Sequence, residues 1–113
     1  MKLQDLLYKV NILKVVGTTN IVISDIQFDS RKIKREGLFV AIKGIISDGH
    51  QYIQNTIKDG AIAIIVEQIP IELNDKITYI QVSSSYNALA VIAANFYKNP
   101  SERTSEIVIT NLS

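Results

Sequence analysis

Hydrophobic residues fall in short runs whose spacing changes along the chain. Leu3, Leu6 and Leu7 lie at helical spacing within Lys2 to Lys9 and predict a short amphipathic helix with a leucine face. Val15 and Val16 follow, and Gly17-Thr18-Thr19-Asn20 is a turn cluster. From Ile21 to Phe28, Ile21 and Ile23 alternate, the phase shifts, and Ile26 and Phe28 resume, which predicts a bulged strand. Leu38 to Ile42 is continuously apolar, as in a strand buried on both faces. Asp48-Gly49-His50-Gln51 then opens a helix, with Asp48 as cap and Gln51 answering three residues later. That helix carries Ile53 and Ile57 and stops at Gly60, a residue suited to a left-handed terminus.

Ala61 to Glu67 is another buried strand, so strand, helix and strand predict a crossover unit with parallel strands. Beyond the loop around Pro70 and Asp75, Ile77 to Val82 alternates as a strand. Serines 83 to 85 offer capping hydroxyls for a helix from Tyr86 to Tyr97, whose apolar stripe is Ala88, Leu89, Ile92, Ala93 and Phe96. Asn99-Pro100 ends it, and Ile107 to Thr110 predicts one more strand. The expected fold class is α/β: a single small domain with a mixed, partly parallel sheet and flanking helices. Such sheets bind ligands beyond the carboxyl ends of their strands, which places interest on the loops after Phe28 and after Ile42.

Composition narrows the functions available. The 113 residues suffice for one domain, and such a domain buries roughly two thirds of its unfolded surface. There is no cysteine, so disulfides and thiolate metal sites are excluded. The longest apolar run, Ala61 to Val66, is far shorter than the roughly 20 residues that cross a bilayer. Met1 to Lys14 lacks the features of a secretory signal, so a cytoplasmic protein without a membrane partner is expected. Twelve Lys and Arg against 11 Asp and Glu argue against a broad nucleic-acid-binding face. Anion recognition, if present, must be local.

The stretch Phe28 to His50 gathers the candidate chemistry. Ser30 offers a hydroxyl, while Arg31, Lys32, Lys34 and Arg35 supply charge suited to a diphosphate. A solvated basic turn accounts for the same residues. Lys43 to His50 leads into a helix N-terminus, where backbone amides favour anions, although capping and turn geometry explain Asp48 and Gly49. His50 is the single histidine, which rules out a histidine metal cluster. A triad of Ser30, His50 and Asp29 is disfavoured because no Gly-x-Ser-x-Gly turn is present. No Gly-x-x-x-x-Gly-Lys-Ser/Thr loop occurs either, so ATP chemistry has no residues here.

Phe28-Asp29-Ser30-Arg31-Lys32, Gly37-Leu38-Phe39-Val40-Ala41-Ile42-Lys43-Gly44, Asp48-Gly49-His50 and Asp59-Gly60-Ala61, taken in order, resemble the N-terminal domain of the Mur ligases. Those enzymes build the peptidoglycan stem peptide in the bacterial cytoplasm. Ser30 after Asp29, and Asn95-Phe96-Tyr97-Lys98-Asn99-Pro100-Ser101, most resemble the members that add the third stem-peptide residue, diaminopimelate or lysine. The resemblance implies an ATP-dependent, amide-forming ligase of three domains whose first domain holds the UDP end of UDP-N-acetylmuramoyl-L-alanyl-D-glutamate. It implies substrate contacts at Phe28 and Ser30 and at the loop of Ile45, Ile46 and Ser47; Arg31 is added from its own chemistry as a diphosphate or structural partner. No catalytic residue is expected in this stretch.

Residues 1–104 are expected to form the substrate-binding domain and 105–113 to begin a truncated central ATP-binding domain. ATP and magnesium are implied for the full-length enzyme and none for this fragment, whose implied partner is the rest of the ligase chain. Glu36-Gly37 stands where the family more often has Gly-Asp, a change expected to matter little. Two alternatives are the N-terminal domain of the D-alanyl-D-alanine-adding sister ligase and a non-catalytic binding module of the same fold.

Overall fold

In the computed structural model, described over residues 1–43 and 49–97, four of five strands run parallel and the fifth closes one edge. The strands are β1 (Ile12–Val16), β2 (Asp25–Gln27), β3 (Gly37–Val40), β4 (Ala61–Val66) and β5 (Thr78–Val82), in the order β1-β5-β4-β3-β2. β2 to β5 pair in parallel and β1 is antiparallel to β5. The helices are α1 (Leu3–Leu6), α2 (Ile53–Lys58) and α3 (Ser85–Tyr97), with short 3-10 turns at Ser30–Lys32 and Gly49–Tyr52. This is the expected α/β fold with a mixed sheet.

Alternation along the central strands builds a core on each face. Leu38, Val40, Ala63, Ile65, Ile80 and Val82 pack with leucines of α1 and with Ala88 and Ile92 of α3. Phe39, Ile64, Val66 and Tyr79 face the other way, against Ile33 and Ile53. Both sides of β3 and β4 are therefore dry, as their unbroken apolar runs require.

Several expectations need correction. The strand foreseen over Ile21 to Phe28 is only three residues long. Its phase shift marks a break: Val22 makes an isolated antiparallel bridge with Lys2, Ile23 donates to the carbonyl of Met1, and Ser24 donates to Glu36. The helix before β4 begins later than foreseen, Gln51 lying in a 3-10 turn, and Tyr52 at its start makes no side-chain cap bond. β1 was not anticipated; Leu13, Lys14 and Val15 are exposed, so it has no buried face to write a pattern. Asp48, Asn99-Pro100 and the strand expected at Ile107 to Thr110 lie outside the described residues.

Candidate functional site

Because β2 to β5 are parallel, their carboxyl ends form one rim, which β1 joins by its antiparallel start. Leaving β2, Phe28 is 61% exposed although aromatic. Asp29 then caps the turn Ser30–Lys32, its Oδ1 accepting from the Arg31 backbone N–H at 3.0 Å. Arg31 folds back onto the same carboxylate, donating from Nε to Oδ1 and from Nη2 to Oδ2, each at 3.1 Å. The side-chain bonds from Arg31, then its backbone N–H, hold the Asp29 carboxyl down at about 2. The same carboxylate raises Arg31 further above its already high range.

This fork gives Arg31 a structural role, since two of its donor groups serve Asp29. Its side chain remains 87% exposed, so its outer edge still faces solvent. The basic cluster does not converge as the sequence allowed. Lys34 accepts from the Gly37 backbone N–H, and Glu36 donates to the Gly60 carbonyl. Gly37 opens β3 and Gly60 precedes β4, so the chain from Lys34 to Glu36 has reached the opposite edge of the sheet. Arg31 and Lys32 stay with the Ser30 turn on the carboxyl rim. Of the expected substrate positions, Phe28 and Ser30 are on that rim, while Ile45, Ile46 and Ser47 lie outside the described residues.

The other half of the rim surrounds a polar hollow of about 310 Å³ lined by Leu13, Lys43, His50, Glu67, Gln68, Val82 and Ser83. Its wall is organised by Glu67, one residue beyond β4. The Glu67 N–H donates to His50 Nε2 at 2.9 Å, its carbonyl accepts from Gln81 Nε2 at 3.1 Å, and its carboxylate accepts from the Ser85 N–H at 2.8 Å. Glu67 escaped the sequence reading, where it marks only the end of a strand. The hint was an acidic residue at a buried strand's carboxyl end, in a fold where a helix N-terminus must arrive at the same rim. The Ser30-His50-Asp29 triad has no support from these bonds, since His50 Nε2 serves Glu67 and Asp29 serves Arg31.

The model of the Mur ligase family, catalytic domain, matches residues 22–97. The chain belongs to the Mur ligase family. It corresponds to a Mur ligase N-terminal domain. It is 41% identical over 111 residues to the UDP-N-acetylmuramoyl-L-alanyl-D-glutamate--2,6-diaminopimelate ligases of Cytophaga hutchinsonii and Clostridioides difficile. The Bacteroides fragilis ligase of the same name is 38% identical over 110 residues. Each match takes in 97% of this chain but only 22–23% of the relative, so the chain spans less than a quarter of the ligases it matches.

Among solved structures, MurF from Acinetobacter baumannii superposes with a TM-score of 0.72 at 24% identity, covering 88% of this chain and 21% of that one; it shows the shared fold. MurF of Thermotoga maritima in complex with ADP gives 0.56 at 31% identity, over 66% of this chain and 17% of that one. Among the described residues of this Mur ligase domain, no helix is long and apolar enough to cross a membrane, and no group of three acidic, histidine or cysteine side chains could hold a metal ion.

Proposed function

We propose that this chain is the substrate-anchoring domain of a cytoplasmic, ATP-dependent ligase that adds the third stem-peptide residue in peptidoglycan synthesis. It binds the UDP end of UDP-N-acetylmuramoyl-L-alanyl-D-glutamate. The observation that carries this reading is the exit from β2, with Phe28 exposed and Asp29 and Ser30 half-buried, on the carboxyl rim of a parallel sheet, in a chain 41% identical to ligases named for that substrate. Phe28 offers a face for an aromatic base, and the Ser30 hydroxyl hydrogen-bonds the nucleotide. The loop of Ile45, Ile46 and Ser47 contributes contacts through its backbone.

Arg31 acts mainly by fixing the turn that presents Ser30, with its outer edge available to a phosphate oxygen. ATP and magnesium belong to the rest of the ligase chain, because this sequence contains no phosphate loop of its own. The domain's share of catalysis is ground-state binding and positioning. Removing the Ser30 hydroxyl with Ser30→Ala should weaken UDP-sugar binding about 5- to 10-fold, the value of one hydrogen bond. Unchanged affinity by calorimetry would sink the assignment.

The D-alanyl-D-alanine-adding sister ligase is the second reading, favoured by the likeness to MurF of Thermotoga maritima. The higher identity and nearly full coverage of the diaminopimelate ligases favour the first.

A further inference from the structure

We propose that His50 is a positioning residue of the nucleotide-sugar rim: its bond to Glu67 fastens the Gly49–Tyr52 turn to the corner of β4, β5 and α3, and protonation of His50 releases the turn and weakens binding. The proposal rests on the UDP-sugar reading above. Its basis is the bonding of Glu67, whose backbone and carboxylate are held at once by three separate elements: His50, Gln81 of β5 and Ser85 of α3. His50 supplies the link to the turn, and it does so as an acceptor. A backbone amide can only donate, so Nε2 carries no proton and the neutral ring holds its proton on Nδ1. An imidazolium carries N–H on both nitrogens and cannot accept this bond. Protonation therefore removes the fastening and sets two donors against each other.

The direction of the effect follows from the surroundings. Lys43, three residues beyond β3, shares the hollow with His50 and Glu67. Lys14 of β1 stands opposite Gln81, and Tyr52 belongs to the same turn as His50. Glu67 directs its carboxylate to the Ser85 amide, so it is committed to capping α3. Lys43 supplies cationic charge without His50. The proposal assigns the direction of the effect to the lost His50–Glu67 bond, since Nε2 points at the Glu67 amide.

The chain offers a clean test, because histidine is the side chain whose ordinary charge change falls between about pH 5 and 8 and there is one histidine and no cysteine. UDP-N-acetylglucosamine, a diphosphate diester with no group titrating in that interval, serves as probe. In the full 113-residue chain, its affinity should fall about 5-fold or more between about pH 7.5 and pH 5.5. In His50→Gln, whose amide oxygen accepts at any pH, affinity should stay level. The amide signal of Glu67 should move with the same midpoint in the unliganded wild type, and the imidazole nitrogen shifts should report the Nδ1–H tautomer.

Level or rising affinity in the wild type, or an equal fall in His50→Gln, would overturn the proposal. If His50→Gln does not fold, a Glu67 amide that ignores pH in the wild type overturns it by itself. No binding at pH 7.5 would instead overturn the UDP-sugar reading on which the proposal stands.

Discussion

Asp29 shows how one residue fixes a turn at the rim of the sheet. Its carboxylate caps the turn and holds Arg31 in a fork, and together these bonds keep its pKa at about 2. A depressed carboxyl stabilises the fold above its ordinary range, and that contribution fades as pH falls from 3.8 towards about 2. Arg31→Ala removes the largest cause and leaves the backbone bond, so the Asp29 carboxyl should rise part of the way back to 3.8 by carbon NMR titration. An unmoved value would show that the fork contributes nothing.

At the opposite edge, Glu36 has φ +61°, in the left-handed region that favours glycine. The resemblance implies glycine at this position, so the change expected to matter little carries strain. Glu36→Gly should stabilise the domain by up to about 1 kcal/mol in urea unfolding, relief of the left-handed cost exceeding the added chain entropy. Gly60 shows the converse: its φ is +123°, and a Cβ there would lie 2.7 Å from the Cα of Arg35. Gly60→Ala should cost about 1–3 kcal/mol in the same assay.

Among the elements, α3 shows how much a helix start can draw from elsewhere in the fold. Ser84 Oγ accepts from the Asn87 N–H in the local cap that the run of serines predicts. Glu67 satisfies the Ser85 N–H from just beyond β4, 18 residues earlier. Ser84→Ala should therefore cost only about 1 kcal/mol of thermal stability without unfolding α3, because the Glu67 cap persists.

Legibility follows the same division between local and distant causes. β3, β4, β5 and α3 were readable because burial writes continuous or periodic apolar runs into the sequence. β1 was not, since its exposed edge position imposes no pattern and its pairing partner is β5, far along the chain. β2 was overread because Ile21 and Ile23 are apolar for different reasons: Ile21 packs beside the α1 face and Ile23 is buried next to Met1. The position of Phe28 and Ser30 just beyond the carboxyl end of β2 was legible from the apolar run that precedes them. The commitment of Arg31 to Asp29, the departure of Lys34 and Arg35 to the other edge, and the role of Glu67 all depend on topology.

For the whole molecule, parallel pairing gathers every strand-exit loop but that of β1 onto one rim. The cores on the two sheet faces hold the scaffold, while Phe28, Ser30, Lys43 and His50 lie outside both of them. Under the proposed function, recognition of an anionic nucleotide sugar by this edge would be local, in keeping with a net charge of only +1. The domain should therefore bind UDP-sugars without the rest of the ligase, though more weakly than a complete site.

The most direct test of that claim is an amide chemical-shift titration of this chain with UDP at up to about 1 mM, the weak-binding range. The account predicts saturable shifts confined to Phe28 to Lys32, the loop from Ile45 to Ser47 and the His50 turn, with α1 and the far edge at Glu36 and Gly60 unmoved. Spectra unchanged throughout the titration would contradict it and mark the chain as a scaffold that has lost its ligand.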